Sequence, residues 1–160
     1  MLFAVLTVSD RCSRGEAHDT AGPAAVALLR QEWPEDARIE TALLPDEPEQ
    51  ISQKILDWVE QGAHLVLTVG GTGLGRRDQT PEATRRVLDR EAPGIAEAMR
   101  AMGATSNPMA WLSRGVAGTR GRTLIVNLPG SLRAVEESLT SILPLVRHGL
   151  ETMAGTERHS

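Results

Sequence analysis

The run Gly70-Gly71-Thr72-Gly73-Leu74-Gly75-Arg76-Arg77-Asp78-Gln79-Thr80-Pro81-Glu82 concentrates the residue types that handle phosphate. Glycines permit positive φ and let a ligand approach the backbone amides closely. Successive amides in such a loop form an anion nest. No Gly-Lys-Ser/Thr closes the run, so it is not a Walker phosphate loop. Gly71, Gly73 and Gly75 are spaced G-x-G-x-G, and Arg76 stands where a dinucleotide fingerprint needs its last glycine. That spacing weighs against a Rossmann-type reductase. A flexible surface turn is the bland alternative, but special backbone residues beside a charged cluster favour a site.

Two carboxylates extend this chemistry. Asp46-Glu47-Pro48-Glu49 fits a capping box, with Asp46 as cap and Glu49 reaching back, and fits a catalytic aspartate equally well. Asp78 is harder to read as a cap, because Thr80, two residues on, is the better cap for a helix opening at Pro81. Asp46 and Asp78 beside one phosphate site could together hold Mg2+, which takes one or two carboxylates and completes its shell with phosphate oxygens and water. Asn127-Leu128-Pro129-Gly130-Ser131 is a second turn of this kind, with Ser131 as the expected cap of the last helix. Arg114 reads either as an anion ligand or as a solvated surface arginine. His18, His64, His148 and His159 show no metal spacing. Cys12 has no histidine near it in sequence, Met99 and Met102 read as core, and Asp19 reads as a helix N-terminal charge.

The elements that must position these residues follow from periodicity. Strands are expected at Leu2 to Ser9, Arg38 to Leu44, His64 to Val69 and Thr123 to Asn127. Helices are expected at Thr20 to Trp33, Pro48 to Gln61, Pro81 to Leu88, Gly94 to Met102, and Ser131 to Met153 with a break at Pro144. Gly118-Thr119-Arg120-Gly121 reads as a hairpin turn after Val116 and Ala117. Alternation of this kind predicts an α/β fold of three layers, a mostly parallel central sheet flanked by helices. In such a sheet, ligands bind beyond the carboxyl ends of the strands. The turns beginning at Ser9 and Asp10, at Pro45 and Asp46, at Gly70, and at Asn127 all follow strands, so all four should converge on one edge.

Composition bounds the rest. At 160 residues, one domain over 1–155 is expected, with a frayed tail over 156–160. A net charge of −4 argues against nucleic acid or an acidic membrane as partner. Lys54 is the only lysine, so the basic character is nearly all arginine. A single cysteine, no signal segment and no membrane span predict a cytoplasmic protein.

Thr68-Val69-Gly70-Gly71-Thr72-Gly73 followed by Arg77-Asp78-Gln79-Thr80-Pro81-Glu82-Ala83 resembles the signature of the MogA/MoaB-type molybdopterin adenylyltransferases. Val8-Ser9-Asp10 with Gly15 and Asp19 is similar to the family's first loop, Leu44-Pro45-Asp46 to its second, and Asn127-Leu128-Pro129-Gly130-Ser131 to its last. The resemblance runs from about Phe3 to Gly155. It implies adenylylation of molybdopterin by ATP with Mg2+ and release of pyrophosphate, in a homotrimer or a larger homo-oligomer, with contact to a molybdenum insertion protein. It also implies that Asp46 and Asp78 are catalytic. Nucleotide or molybdopterin would lie against Ser9, Asp10, Gly70, Gly71, Thr72, Gly73, Thr80, Asn127, Pro129, Gly130 and Ser131. Two alternatives remain open at this level: a non-catalytic molybdopterin-binding paralogue, and a nucleotide hydrolase of the related competence-damage-type fold.

Overall fold

The computed structural model describes residues 1–155, and the tail expected to fray, Thr156 to Ser160, lies outside them. Strands β1 (Leu2–Val8), β2 (Arg38–Leu44), β3 (Leu65–Val69) and β6 (Thr123–Leu128) run parallel. β5 (Ala117–Arg120) and the two-residue β4 (Arg90–Glu91) extend the sheet antiparallel, giving the order β2-β1-β3-β6-β5-β4. The helices are α1 (Asp10–Ser13), α2 (Ala21–Glu32), α3 (Pro48–Glu60), α4 (Thr80–Arg85), α5 (Pro93–Ser106) and α6 (Leu132–Met153), with a 3-10 turn at Pro108–Leu112.

Strand alternation sorts the core into two slabs. Phe3, Val5, Leu65, Leu67, Leu124 and Val126 pack with residues of α2, α5 and α6. Ala4, Leu6, Val8, Val66 and Ile125 face the other way, onto Ile51, Ile55 and Trp58 of α3 and Ala83 of α4. Because both faces are covered, β1, β3 and β6 are buried almost end to end and mostly apolar, rather than alternating. The expected three-layer α/β fold with a mostly parallel sheet is therefore present.

The structure departs from the sequence expectations in four local places. α6 runs unbroken through Pro144. Pro144 and Thr140, whose carbonyl would have accepted its missing N–H, are both exposed, so that carbonyl is left on the solvent side while Val135, Leu139, Ile142, Val146 and Leu150 stay buried. Gly118, Thr119 and Arg120 belong to β5, and the hairpin turn is only Gly121 and Arg122. α5 continues to Ser106, where Met99 is buried but Met102 is exposed, so only one of the two methionines is core. α1 and β4 have four and two residues, too few for any periodicity to register.

Asn127 ties the layers together behind the site. Its side-chain carbonyl accepts from Val116 N at 3.1 Å, and its Nδ2 donates to Thr68 Oγ1 and Thr84 Oγ1, both at 2.9 Å. One buried amide thus links β6 to β3, to α4 and to the approach of β5. Removing it strands three buried polar groups. Asn127→Ala should cost about 2–4 kcal/mol in urea unfolding at an unchanged slope. A loss below about 1 kcal/mol would show that these bonds are dispensable.

Candidate active site

Sheet order places a switch point between β1 and β3, because the chain passes from β1 out to β2 and then back beyond β1 to β3. A crevice at the carboxyl ends of such strands is the expected ligand site. The turns after β1 and β3 meet there at very close range. Gly70 has φ of +100°, and a Cβ on it would collide with the Val8 carbonyl. On its other side, a Cβ on Gly130 would sit 3.2 Å from the Gly70 Cα. Only glycine lets the ends of β1, β3 and β6 come this close.

Two cavities open at this edge. One, of about 330 Å³, is lined by Ser9, Asp10, Asp19, Asp46, Gly70 and Asp78, among others. The second, of about 480 Å³, runs from Gly71, Thr72 and Gly73 past Met99 and Arg100 to Pro129, Gly130 and Ser131. Gly71, Asp78 and Gly130 line both. The four turns expected to converge do so, and Asp46 and Asp78 share the smaller cavity.

Asp46 is not a helix cap. Glu47 occupies the cap position of α3, without a side-chain cap bond. The Asp46 Oδ2 instead accepts from Asp10 N at 3.0 Å, while Asp10 Oδ1 accepts from Asp46 N at the same distance. This reciprocal pair joins the ends of β1 and β2. Asp46 Oδ1 is buried without a hydrogen-bond partner. Burial pushes the Asp46 carboxyl above its ordinary pKa against the pull of the Asp10 amide, and the negative charges of Asp10 and Asp78 add to the rise.

Asp10 has the opposite environment. Arg77 donates to it through Nε at 3.0 Å and Nη2 at 3.1 Å, and reaches Glu47 with Nη2 at 2.9 Å. That guanidinium, helped by the Asp46 amide, holds the Asp10 carboxyl below its usual range. Asp10 and Arg77 therefore neutralise one another, which leaves Asp19, Asp46 and Asp78 as the carboxylates of the smaller cavity without an arginine partner among the described residues, with Arg11 also on its wall. Asp78 Oδ2 accepts from Gly75 N at 2.8 Å, closing the Gly-rich turn on itself. Among the described residues no group of three or more His, Cys, Asp or Glu could enclose a metal. An orphaned buried carboxylate oxygen next to a second carboxylate fits a cation that also draws ligands from phosphate and water.

Other expected site residues divide in the same way. Ser9 lines the smaller cavity and caps α1, accepting from Cys12 N at 3.2 Å. Thr20 occupies the cap position of α2, and Asp19 just before it accepts from Gly22 N and from Thr7 Oγ1, a negative charge at the helix N-terminus that also lines the smaller cavity. Ser131 caps α6 at Ala134 N, and the start of this 22-residue helix opens on the larger cavity. Thr80 is the first residue of α4 rather than its cap, and its buried Oγ1 has no hydrogen-bond partner. Thr80 and Asn127 lie behind the cavity walls, because both side chains are enclosed by packing. Arg114 is not a free surface arginine: its guanidinium, half-buried, is bound to the back of the Gly-rich loop. Its role was invisible in sequence because it depends on backbone carbonyls about forty residues away.

A doubly covered sheet with Gly-rich turns and an acidic pair at its carboxyl edge defines the class: three-layer α/β proteins that take their ligand at the strand ends. A family described as a probable molybdopterin binding domain matches residues 4–148, and the chain belongs to it. The molybdopterin adenylyltransferase of Haemophilus influenzae is 45% identical over 141 residues, covering 88% of this chain and 72% of that protein. Gephyrin of Dictyostelium discoideum is 42% identical over 93% of this chain, but the chain spans only 22% of gephyrin's length. The crystal structure of the molybdopterin biosynthesis enzyme MoaB from Thermus thermophilus superposes with a TM-score of 0.87 at 49% identity, covering 96% of each chain. No helix of the described residues is long and apolar enough to cross a membrane.

The raised pKa of Asp46 has a definite sign for stability. A carboxyl raised above its unfolded value stabilises the fold only while protonated, and that contribution is lost as pH rises through the raised value. Asp46→Asn keeps an acceptor for Asp10 N and removes the charge. Its melting temperature should equal or exceed that of the unmodified chain at neutral pH, and the difference should vanish near about pH 4. A fall of more than about 4 °C at neutral pH would contradict this account of the Asp46 environment.

Proposed function

We propose that the chain adenylylates molybdopterin, joining it to the α-phosphate of ATP and releasing pyrophosphate. One observation carries this reading: Asp78 stands where two cavities meet, with the unpartnered Oδ1 of Asp46 beside the smaller of them. Two substrates in adjoining cavities need a shared edge for transfer, and the edge here is acidic with glycine amides beside it. The relationship to the H. influenzae adenylyltransferase supports the same reading.

The molybdopterin phosphate is the nucleophile and is already anionic near neutral pH, with a second pKa of about 6, so it needs little help from a base. Alignment and charge neutralisation then do most of the work. Amides of the Gly71–Gly73 turn and the start of α6 bind anionic oxygens. Asp46 and Asp78 would hold Mg2+, which supplies positive charge to the triphosphate. Asp10 is occupied with Arg77 and the Asp46 amide, so in this reading it positions Asp46 rather than binding substrate. A single domain over 1–155, a homotrimer or larger assembly, a cytoplasmic location and contact with a molybdenum insertion protein belong to the same proposal and rest on the family relationship.

Asp78→Asn keeps an acceptor for Gly75 N and removes the charge. Pyrophosphate release from molybdopterin, ATP and Mg2+ should fall roughly 10²-fold or more, with the melting temperature little changed. Near-normal turnover would sink the assignment. Binding of molybdopterin without pyrophosphate release by the unmodified chain would instead mark a binding paralogue, and hydrolysis of ADP-ribose or nicotinamide mononucleotide a hydrolase.

A further inference from the structure

The Gly-rich loop is held from behind by one residue, through its backbone and its side chain. Arg114 N donates to Thr72 O at 2.8 Å. Its Nε donates to Gly73 O at 2.9 Å, its Nη2 to Asp78 O at 2.8 Å, and its Nη1 pairs with Glu82. Both ends of the 72–78 segment and the first turn of α4 thus converge on one arginine. Desolvation works to raise the Glu82 carboxyl, but the hydrogen bond and charge of Arg114 outweigh it, so Glu82 stays below its ordinary range and ionised. Arg100 braces the brace: its Nη1 donates to Ser113 O at 3.2 Å and Gly115 O at 3.0 Å, the carbonyls on either side of Arg114.

These contacts have a directional consequence. In a trans peptide, a carbonyl and the following N–H point to opposite sides. With the carbonyls of Thr72, Gly73 and Asp78 turned toward Arg114, the N–H groups of Gly73, Leu74 and Gln79 point away from it. Gly73 and Asp78 line the larger cavity, whereas Arg114 does not and lines instead an adjoining cleft of about 350 Å³ with Arg85 and Glu91, the two spaces sharing Ala96, Arg100, Ser113 and Gly115. The guanidinium and the ligand space are on different sides of the loop.

We propose that Arg114 is a positioning residue for the transfer: by holding three loop carbonyls from behind, it aims the loop amides and sets Asp78 at the junction of the two cavities, without touching substrate. This rests on the adenylyl-transfer reading for its catalytic part and on loop geometry alone for the rest. Lysine cannot replace it, because a point charge on a flexible stem cannot serve Nε, Nη1 and Nη2 positions in one plane.

The test compares the unmodified chain with Arg114→Lys and Arg114→Ala by hydrogen exchange and by steady-state pyrophosphate release. In both variants, exchange across 72–79 should quicken at least about tenfold while β1, β3 and α6 keep their protection. The kcat should fall about 10- to 100-fold with the KM for ATP changed less than about threefold. Added guanidinium should return part of the turnover to Arg114→Ala, and Lys should not. Loop exchange and kcat within about twofold of normal in Arg114→Lys would overturn the proposal, as would a raised KM at unchanged kcat, which would mean direct substrate contact. If both variants unfold, Arg100→Lys loosens the same segment one step removed, and unchanged loop exchange there overturns the brace. If the unmodified chain releases no pyrophosphate, the adenylyl-transfer reading fails, and the exchange measurement still decides whether Arg114 holds the loop.

Discussion

Asp10 and Asp46 each accept a hydrogen bond from the other's backbone N–H, and the rest of the site hangs on that exchange. The backbone ladder of β1 and β2 runs one residue past the strand, with Ser9 N donating to Leu44 O at 2.9 Å, and side chains take over from there. The reciprocal bonds continue the pairing past Val8 and Leu44 through side chains. They also engage carboxylate oxygens unequally. Asp10 becomes fully engaged once Arg77 closes on it, whereas Asp46 keeps one buried oxygen uncommitted. Two residues of the same type acquire different chemistry from their neighbours alone.

A second constraint acts through backbone rather than charge. Gly70 and Gly130 touch, and Gly70 also lies against the Val8 carbonyl. Three strand ends can therefore approach within the span of one phosphate-bearing ligand, which bulkier turns would prevent. The same closeness excludes side chains from the floor of the site, so chemistry must enter from the sides. It does so from Asp46 on the β2 turn and Asp78 at the end of the Gly-rich turn, while α6 contributes its N-terminus.

What could be read from sequence follows from this division. Strand ends and glycine turns are local features, so the four converging turns, the sheet class and the meeting of Asp46 and Asp78 at one edge were all legible. Capping readings failed at Asp46 and Thr80 because a cap is decided by where the side chain finds a donor, and Asp46 finds one thirty-six residues away. Asn127 looked like a ligand residue because it follows a strand. Its amide is in fact consumed by Val116, Thr68 and Thr84, contacts that exist only once four elements are assembled. Arg114 illustrates the same limit, since an arginine that recognises carbonyls leaves no charge-pair signature in sequence.

The Asp46 environment bears on why such a site would persist at all. A carboxyl raised by burial and by like charges opposes folding when it is ionised, so the site is held against an electrostatic cost. Packing elsewhere must carry that cost, and two apolar slabs on either side of the sheet are placed to do so. A cation arriving with a triphosphate would relieve it. Under the proposed function, such binding would remove an electrostatic cost built into the fold instead of creating a new one. The rigid arrangement of Gly70, Gly130 and the Arg114 contacts suits that role, because a loop free to relax around Asp46 would dissipate the strain before a ligand could use it.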